Sequence, residues 1–401
     1  MILQAASQLK TLFDHSVDRL FAWPFWLLAA LVLGANILTQ GVWMVPSLDA
    51  VSLMARDVTQ NPYPNSVMQF LFSSFLMPLI AYAVGLNKTP TDYFTLCALV
   101  LLVGMMLGFG SLRRRFGDQT ARIVMLLFGA TPLINVLLTW IGYGDPLTFT
   151  LATLLLALPA PALRALFGAL LAVAHFEQGC IIIALLCGLL PFVDADLKAR
   201  TRWLGMALMI AGFIAGKIAI DLYFQIHNFQ IVTTRATLIF DKVGPLRFLS
   251  DTARYPLVLL FSILNVTWAA WLLVVVGSWR GNRRLFAVLL AGMALCLGVT
   301  VFVLDQTRVG ALLTWPLLAG AVIVAARDID SRELLKRLAA ACFLLGLIVP
   351  RVIVWEGRIH TSSASFTAML VTDTLGLTDF IDQSVPWWRV TPFAAPKAIN
   401  W

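Results

Sequence analysis

Long apolar stretches recur along almost the whole chain, from Trp23 to Arg351, and no other feature restricts the fold as strongly. A helix that crosses a bilayer needs roughly 20 predominantly apolar residues. Of the 401 residues, 60% are hydrophobic and only 12% are charged, which is not the composition of a soluble domain. The chain is therefore predicted to be an all-α polytopic membrane protein whose helices form one bundle in a lipid bilayer.

The apolar runs can be counted as transmembrane helices, and about eleven are predicted. Residues 1–22 carry apolar side chains at helical spacing and are predicted to form an interfacial helix. Several predicted spans are shorter than a perpendicular crossing requires and are expected to bend or to line a cavity. The predicted spans are residues 23–45, 93–111, 121–141, 147–161, 164–176, 180–193, 203–223, 255–277, 285–304, 310–326 and 338–355.

Basic residues occur in short clusters between the apolar runs, which is typical of cytoplasmic loops. The net charge of +8 is therefore attributed to membrane topology, and no nucleic-acid partner is predicted. The cluster Arg113–Arg115 becomes cytoplasmic if residues 67–86 lie in the outer interface instead of crossing the membrane. The N-terminus is then cytoplasmic and the C-terminus extracytoplasmic.

This topology divides the chain into a transmembrane bundle, residues 1–355, and a short extracytoplasmic tail, residues 356–401. Residues 46–92 form the first outer loop, with interfacial helices, and residues 224–254 form the second. Acidic residues and histidines concentrate on this outer face. The five cysteines all fall inside apolar runs, where cysteine behaves as a small hydrophobic residue, so neither a disulfide nor a metal site is predicted.

The first outer loop opens with "PSLDAVSLMARD", which places Asp49 at the membrane boundary and Asp57 about two helical turns further on. A partly buried carboxylate can accept a proton from an attacking hydroxyl, because burial raises its pKa. Helix capping is the alternative for Asp49. In "NPYPNS", Tyr63 lies between two prolines, and its ring either stacks on a sugar or belongs to a simple break between two helices.

Two further turns on the outer face carry ionisable residues. In "WIGYGDPLT", Asp145 is either a substrate ligand or a cap for the helix that follows. In "AHFEQG", His175 and Glu177 interrupt a long uncharged region, and ionisable groups at membrane depth usually face a polar cavity. Both are predicted to bind substrate.

Two cations lie near the same boundary. Lys217 is four residues from Asp221 on a predicted span, so the two either form an ion pair or leave the ammonium to bind a lipid phosphate. Arg308 follows Asp305 in "LDQTRVG". An arginine fork suits phosphate, and pairing with Asp305 or Asp241 is the alternative.

Familiar motifs of soluble enzymes and ATP-driven transporters are absent from the sequence. The chain has no Walker phosphate loop, no G-x-S-x-G elbow and no His-Glu-x-x-His pair. ATP-driven transport and soluble-type hydrolysis therefore lose support.

The order of these features resembles that of the GT-C superfamily of integral membrane glycosyltransferases. The resemblance lies in "PSLDAVSLMARD", "NPYPNS", an interfacial segment ending "LMPLIAYAVG", the basic turn "SLRRRFGD" and "ATPLINVLLTWIGYGDPLT". It covers residues 1–180 by motif order and the rest by span count. The first loop departs from the common paired-acid form of the family, and the tail is short, so metal dependence, on Mg or Mn, is left open.

The resemblance implies an inverting glycosyltransferase in the cell inner (plasma) membrane that takes a sugar from a polyprenyl-phosphate donor to a glycan or glycolipid acceptor. Asp49 would be the catalytic base, with Asp57 as its substitute. Cationic side chains would hold the donor phosphate, a role assigned to Lys217, Arg235 and Arg308. Two alternatives stay open: a lipid-linked glycan polymerase or ligase, and a transporter or lipid flippase without covalent chemistry.

Overall fold

The computed structural model describes residues 2–40, 43–44, 48–349, 351–355, 358–361, 378–379 and 385–386. Within these ranges the protein is a bundle of α-helices with a few short strands. The helices are α1 (Ile2–Ala22), α2 (Phe25–Gln40), α3 (Leu48–Arg56), α4 (Leu76–Ala83), α5 (Pro90–Phe116), α6 (Asp118–Ala130), α7 (Pro132–Thr139), α8 (Asp145–Ala157), α9 (Pro161–Ala174), α10 (Phe176–Val193), α11 (Ala199–Ile226), α12 (Arg235–Thr237), α13 (Pro245–Arg254), α14 (Pro256–Leu264), α15 (Trp268–Gly281), α16 (Arg283–Val301), α17 (Gln306–Ala325) and α18 (Ile329–Ile348).

Other short elements connect these helices. Segments Val67–Ser74 and Asn265–Thr267 are 3-10 helices, and Leu238–Val243 is a π-helical turn. The strands are β1 (Trp43–Met44), β2 (Val352–Trp355), β3 (Arg358–Thr361), β4 (Thr378–Asp379) and β5 (Val385–Pro386). Strand β1 pairs antiparallel with β5, β2 pairs antiparallel with β3, and β3 pairs parallel with β4.

Prolines mark many of the helix starts, which explains why the apolar runs break where they do. Proline lacks an amide N–H and has a fixed φ angle, so it is well placed in the first turn of a helix and poorly placed inside one. Thr89 adds a capping box at the start of α5, where its hydroxyl accepts from the Asp92 amide at 3.1 Å. Proline occupies the first or second position of α5, α7, α8, α9, α13 and α14.

Six helical segments of the described chain are long and apolar enough to cross a membrane, and two bent helix pairs raise the number to eight. The bent pairs are α1 with α2, at 114°, and α6 with α7, at 66°. Helices α8 and α9 are apolar but shorter. The protein is thus a helical, multi-pass membrane protein, as predicted, whereas the count of eleven spans and the GT-C arrangement stay predictions. The six segments are α5, α10, α11, Pro256–Gly281, α16 and α17.

The predicted span 338–355 is wrong at its C-terminal end. Helix α18 stops at Ile348, and Val352–Trp355 forms strand β2 instead. Val349 has an extended conformation, with φ −71° and ψ 126°, because a residue before proline is disfavoured in the α region and Pro350 follows it. The strand packs against the start of α17, where the Val354 amide donates to Thr307 Oγ1 at 2.8 Å.

The two predicted outer loops are largely helical. The interfacial helix expected over residues 67–86 is two pieces, the 3-10 helix Val67–Ser74 and α4. The expected loop 224–254 is shorter than predicted, because α11 continues to Ile226 and α12, the π-helical turn and α13 occupy most of the remainder. Most of the tail 356–401 lies outside the described residues.

Large apolar side chains cover the outward faces of the spans. Helix α11 exposes Trp203, Ile210, Ile214, Ile218 and Leu222, each at least 40% accessible. A continuous apolar stripe of this length is unfavourable in water and favourable against lipid tails. These faces are therefore the surfaces that contact the bilayer.

Helix α17 forms the centre of the bundle and is buried along nearly its whole length. Its Trp315 ring packs against the rings of Phe128 and Phe149, with centroids 5.3 Å and 5.7 Å away. The indole Nε1 donates to Thr153 Oγ1 at 2.9 Å, so the polar edge of this buried ring is satisfied. This core fixes α17, and therefore its first turn, relative to α6 and α8.

Helices α9 and α11 pack with their backbones in direct contact. A Cβ atom added at Gly212 would lie 2.0 Å from the Ala165 carbonyl oxygen, and one at Gly216 would lie 2.3 Å from that of Ala169. From the other side, a Cβ at Gly168 would lie 2.4 Å from the Met209 carbonyl oxygen. Small residues four apart permit such close helix contacts in membranes.

Charged residues gather at both ends of the bundle. At one end, here called the Asp194 end, the buried carboxylate of Asp194 lies 2.6 Å from both Arg115 Nη2 and Arg164 Nη1. Arg327, just after α17, donates to the Phe192 carbonyl at 2.8 Å. Asp194 is fully buried and neutralises two arginines, Arg115 and Arg164, that were expected in solvated loops.

Candidate functional site

The other end of the bundle, here called the Arg308 end, is organised by a buried charge cluster at the start of α17. The Arg308 guanidinium donates through Nε to Asp145 Oδ2 at 3.0 Å and through Nη1 to Asp305 Oδ2 at 2.7 Å. The Asp145 side chain is fully buried and that of Arg308 nearly so. The Tyr143 ring lies under the guanidinium, 4.6 Å from its carbon. A buried arginine held by two carboxylates and a ring is fixed in position.

This cluster changes the interpretation of Asp145 and Arg308. Asp145 does not cap α8, whose N-cap is Gly144 without a side-chain bond. Its Oδ2 atom pairs with Arg308, while its buried Oδ1 atom has no hydrogen-bond partner in the described part of the chain. Arg308 pairs with Asp305, one of the two partners considered from the sequence, and Asp145 is the second carboxylate. Arg308 is therefore fully compensated in charge.

His175 and Glu177 lie at the junction of α9 and α10. His175 Nδ1 accepts a hydrogen bond from the Gln178 amide at 3.4 Å and so caps α10. Burial, together with the nearby cations of Arg235 and Arg308, holds the pKa of His175 well below its usual value. The ring is therefore neutral near pH 7, and because Nδ1 accepts, the proton is assigned to Nε2.

Among the described residues, His175 Nε2 has no hydrogen-bond partner, although the side chain is only 1% exposed. Gln178, in the same turn, is also buried, and neither its Nε2 nor its Oε1 atom has a hydrogen-bond partner within the described ranges. Glu177 Oε2 lies 3.5 Å from His175 Nδ1 and likewise accepts no hydrogen bond. The first turn of α10 thus presents several polar atoms that nothing in the described residues satisfies.

Arg235 reaches the same turn from residues 224–254, the segment predicted to be the second outer loop. Its Nε atom donates to Ser73 Oγ at 3.0 Å and lies 4.0 Å from Glu177 Oε2, and its guanidinium carbon lies 5.3 Å from the centre of the Phe70 ring. The side chain is 23% exposed. No hydrogen bond from Nη1 or Nη2 is found among the described residues. Arg235 is thus less compensated than Arg308 and open to a ligand.

Gln69 holds the two outer loops together. Its Nε2 atom donates to the carbonyls of Tyr63 and Gln230, both at 3.0 Å. Its Oε1 atom accepts from the amides of Val232 and Thr233 at 2.8 Å and 3.0 Å. One buried side chain thus satisfies four backbone groups from two loops, and it fixes the segment that carries Arg235.

We expect Gln69→Leu to release this segment. The amides of Val232 and Thr233 lose their acceptor, so their hydrogen exchange should accelerate by about fivefold or more, since one hydrogen bond contributes about 1 kcal/mol. Hydrogen-exchange mass spectrometry on the peptide covering residues 229–237 measures this. The exposed Gln60, changed to leucine in the same loop, should leave this exchange rate unaltered. Equal exchange in both variants would show that Gln69 does not anchor the loop.

The three residues singled out in the first outer loop have different positions. Asp49 lies in the first turn of α3; its backbone is described and its side chain is not. Asp57 Oδ1 accepts from the Thr59 hydroxyl at 2.6 Å and the Thr59 amide at 2.9 Å, and these bonds lower the pKa of Asp57. A carboxylate bonded in this way is a weak base. Tyr63 separates α3 from the 3-10 helix, and its hydroxyl donates to the Ala50 carbonyl.

Lys217 forms an ion pair with Asp221 on α11, which is the alternative that the spacing allowed. The ammonium also lies 5.0 Å from the centre of the Phe176 ring. The pair is half-exposed beside the first turn of α10. Lys217 is therefore adjacent to the site but already has a carboxylate partner.

A metal site requires several donor side chains that converge on one point. Among the described residues no three His, Cys, Asp or Glu side chains converge in a way that could hold an ion. Asp145, the most buried carboxylate of the Arg308 end, already pairs with an arginine. The described side chains therefore do not form a fitting site for Mg or Mn, and no chemical step is routed through one.

Of the predicted site residues, the structure brings together Asp145, His175, Glu177, Arg235 and Arg308. Sequence reasoning missed Gln69 and Gln178. Gln178 had a signal, because it is the next polar residue in the "AHFEQG" turn and points to the same helix start. Gln69 had none, since a single glutamine in a polar-apolar segment predicts nothing about its partners.

The comparisons with known proteins leave the family open. No family model, curated protein or solved structure matches this chain.

Proposed function

We propose that the protein is a GT-C-type membrane glycosyltransferase that moves a sugar from a polyprenyl-phosphate donor to a glycan or glycolipid acceptor. The observation that carries the proposal is the position of Arg235. This incompletely compensated cation lies beside a helix start whose polar atoms lack partners, at one end of an apolar bundle. A charged headgroup on a lipid tail is the ligand chemistry that such a position suits.

The charges support a phosphodiester donor. A polyprenyl phosphate that carries a sugar has one negative charge, which one guanidinium neutralises, and arginine binds phosphate oxygens in a fork geometry. The N-terminus of the 18-residue helix α10 adds a positive partial charge. The donor would enter sideways from the bilayer, since its isoprenoid tail stays in the apolar phase.

The chemical step balances with one carboxylate as base. The acceptor hydroxyl oxygen attacks the anomeric carbon, and its proton passes to the base. The bond between the anomeric carbon and the phosphate oxygen breaks, the electron pair leaves with polyprenyl phosphate, and the anomeric configuration inverts. We assign the base to Asp49, because the Asp57 carboxylate already accepts two hydrogen bonds from Thr59. Positioning and charge stabilisation supply most of the rate.

We assign the Arg308 end to the outer face of the cell inner membrane. Support comes from the opposite end, where Arg113, Arg115, Arg164 and Arg327 collect as expected for the cytoplasmic side. With eleven spans, the N-terminus would be cytoplasmic and the C-terminus extracytoplasmic. A lipid-linked glycan polymerase or ligase would use the same face and differ in its donor.

One observation favours a different class, a transporter or lipid flippase. The bent pair α6 and α7 resembles the discontinuous helices that form transport sites. At this break, however, the buried Arg351 donates to the carbonyls of Gly129 and Thr131 at 2.6 Å and 2.7 Å. The freed backbone groups are therefore occupied by the protein itself, which weakens the case for transport.

Changing Asp49 to asparagine tests the proposal. The protein in nanodiscs is given polyprenyl phosphate with a radiolabelled sugar and an envelope extract as the acceptor, and the label that leaves the lipid is counted. We expect Asp49→Asn to reduce transfer by about 10²–10⁴-fold, the usual contribution of a general base. Asp241 is an exposed carboxylate in the segment that carries Arg235, and Asp241→Asn should transfer sugar at the rate of the unmodified protein.

Unreduced transfer by Asp49→Asn would remove Asp49 from the mechanism, and the same assay on Asp57→Asn would show whether Asp57 replaces it. If the unmodified protein transfers no label, but moves the labelled lipid between leaflets of a vesicle, the flippase would be the correct assignment.

A further inference from the structure

Two of the side chains that carry unsatisfied polar atoms at the start of α10 are themselves buried. His175 and Gln178 are 1% and 5% exposed, and three of their polar atoms, His175 Nε2 and both amide atoms of Gln178, have no hydrogen-bond partner in the part of the chain that the structure describes. Leaving a buried polar group without a hydrogen bond is unfavourable, and native proteins have few such groups. Three in one helical turn indicate a ligand that satisfies them.

The helix itself does not use these atoms. The cap of α10 uses His175 Nδ1 and the Gln178 backbone amide, and the Gly179 amide donates to the His175 carbonyl at 2.8 Å. These bonds leave Nε2 and the Gln178 side-chain amide free. The Nδ1 atom, which caps the helix, and the Nε2 atom, which is unused, thus lie on opposite sides of the imidazole ring.

The chemistry of these atoms suits hydroxyl groups. The neutral ring offers one N–H donor, and the Gln178 amide offers donors and an acceptor. Sugar hydroxyls both donate and accept, whereas a phosphate only accepts and is better matched by Arg235. Glu177 Oε2 lies 3.5 Å from His175 Nδ1 and 4.0 Å from Arg235 Nε, so the His175 ring and the Arg235 guanidinium flank the same carboxylate.

We propose that His175 Nε2 and the side-chain amide of Gln178 bind hydroxyl groups of the donor sugar, so that the protein binds a glycosylated polyprenyl phosphate more tightly than the bare polyprenyl phosphate. The inference rests on the proposed function, in which Arg235 holds the phosphate. A hydroxyl-binding subsite (His175 and Gln178) close to a phosphate-binding residue (Arg235) matches a ligand whose sugar is attached directly to a phosphate. After transfer, the product lipid no longer carries the sugar and loses these hydrogen bonds. The product should therefore dissociate more readily than the donor.

Binding in nanodiscs tests this inference without turnover. The probes are undecaprenyl phosphate and the same lipid carrying glucose, galactose, mannose or arabinose, and affinity is measured by native mass spectrometry. We expect the unmodified protein to bind at least one glycosylated lipid about tenfold or more tightly than undecaprenyl phosphate, which corresponds to 1.4 kcal/mol or more.

Two variants are designed to remove the subsite with little change to the helix start. His175→Asn keeps a good helix cap but has no atom at the Nε2 position, and Gln178→Leu replaces the amide by an apolar group of similar size. In both variants, the affinities for glycosylated and bare lipid should be nearly equal. Their affinity for the bare lipid should match that of the unmodified protein. Arg235→Gln should weaken both lipids together. Gln225→Leu, an exposed amide on α11, is the matched control and should keep the preference.

The outcomes separate this inference from the proposed function. If the unmodified protein binds all five lipids equally, or if His175→Asn and Gln178→Leu keep the preference, the sugar subsite is overturned while phosphate binding by Arg235 stands. If no lipid phosphate binds the unmodified protein, the proposed function fails and this inference fails with it.

Discussion

Arg308→Met is expected to destabilise the protein by about 3–5 kcal/mol, because it leaves the fully buried carboxylate of Asp145 without its cation. Removing one partner of a buried ion pair costs far more than the pair contributes, since the remaining charge stays out of water. The cluster also joins α8 to α17, so its loss separates the two helices that position the site. The free energy of unfolding in mixed micelles, followed by tryptophan fluorescence, measures the effect.

A matched control and a double variant sharpen this prediction. Arg247 lies at the same end, is exposed, and is 3.9 Å from Asp251 on α13, so Arg247→Met should change the free energy of unfolding by less than about 1 kcal/mol. Adding Asp145→Asn to Arg308→Met removes the stranded charge and should recover about 2 kcal/mol or more. No recovery in the double variant would show that the cluster stabilises the bundle by packing alone.

Gly212→Ala should be the second most damaging change. The added methyl carbon would lie 2.0 Å from the Ala165 carbonyl oxygen, a backbone atom that cannot move away without shifting α9 against α11. Overpacking of this kind costs about 1–3 kcal/mol and sometimes more, and it outweighs the gain in helix propensity of about 1 kcal/mol. The same unfolding measurement in mixed micelles applies.

Gly298 provides the matched control, because it lies inside α16 and has nothing within 4 Å of its position for a Cβ atom. Gly298→Ala should be neutral or should stabilise the protein by up to about 1 kcal/mol. If Gly212→Ala proved as harmless as Gly298→Ala, the close contact between α9 and α11 would not exist in the membrane.

The sequence predicted the class of fold well, because apolar runs and basic clusters report a property of each segment alone. The central position of α17 could not be predicted, since α17 is less apolar than α16 and is nevertheless far more buried. The same holds for the "GFIAG" run of α11, where glycines four apart indicate a close contact but do not name its partner on α9. The end of α18 was mistaken because the apolar run continues past Pro350 into a strand.

The candidate site was predicted in part. His175, Glu177 and Asp145 stand out because charged residues are rare in this chain, and the structure places them at one end with Arg235 and Arg308. Their pairing could not be read from the sequence: Arg308 and Asp145 are 163 positions apart. Lys217 and Arg308 looked like equivalent phosphate ligands, whereas both have carboxylate partners and Arg235 is the more open cation.

The central claim is that the polar groups of the Arg308 end bind a polyprenyl-phosphate sugar. Photocrosslinking tests it most directly, with a donor lipid that carries a diazirine beside the phosphate and with mass spectrometry to map the labelled peptides. We predict labels in residues 175–180 and 230–237, and fewer of them in Arg235→Gln. Labels concentrated near Asp194 and Arg202, or spread evenly over the lipid-facing helices, would contradict the account.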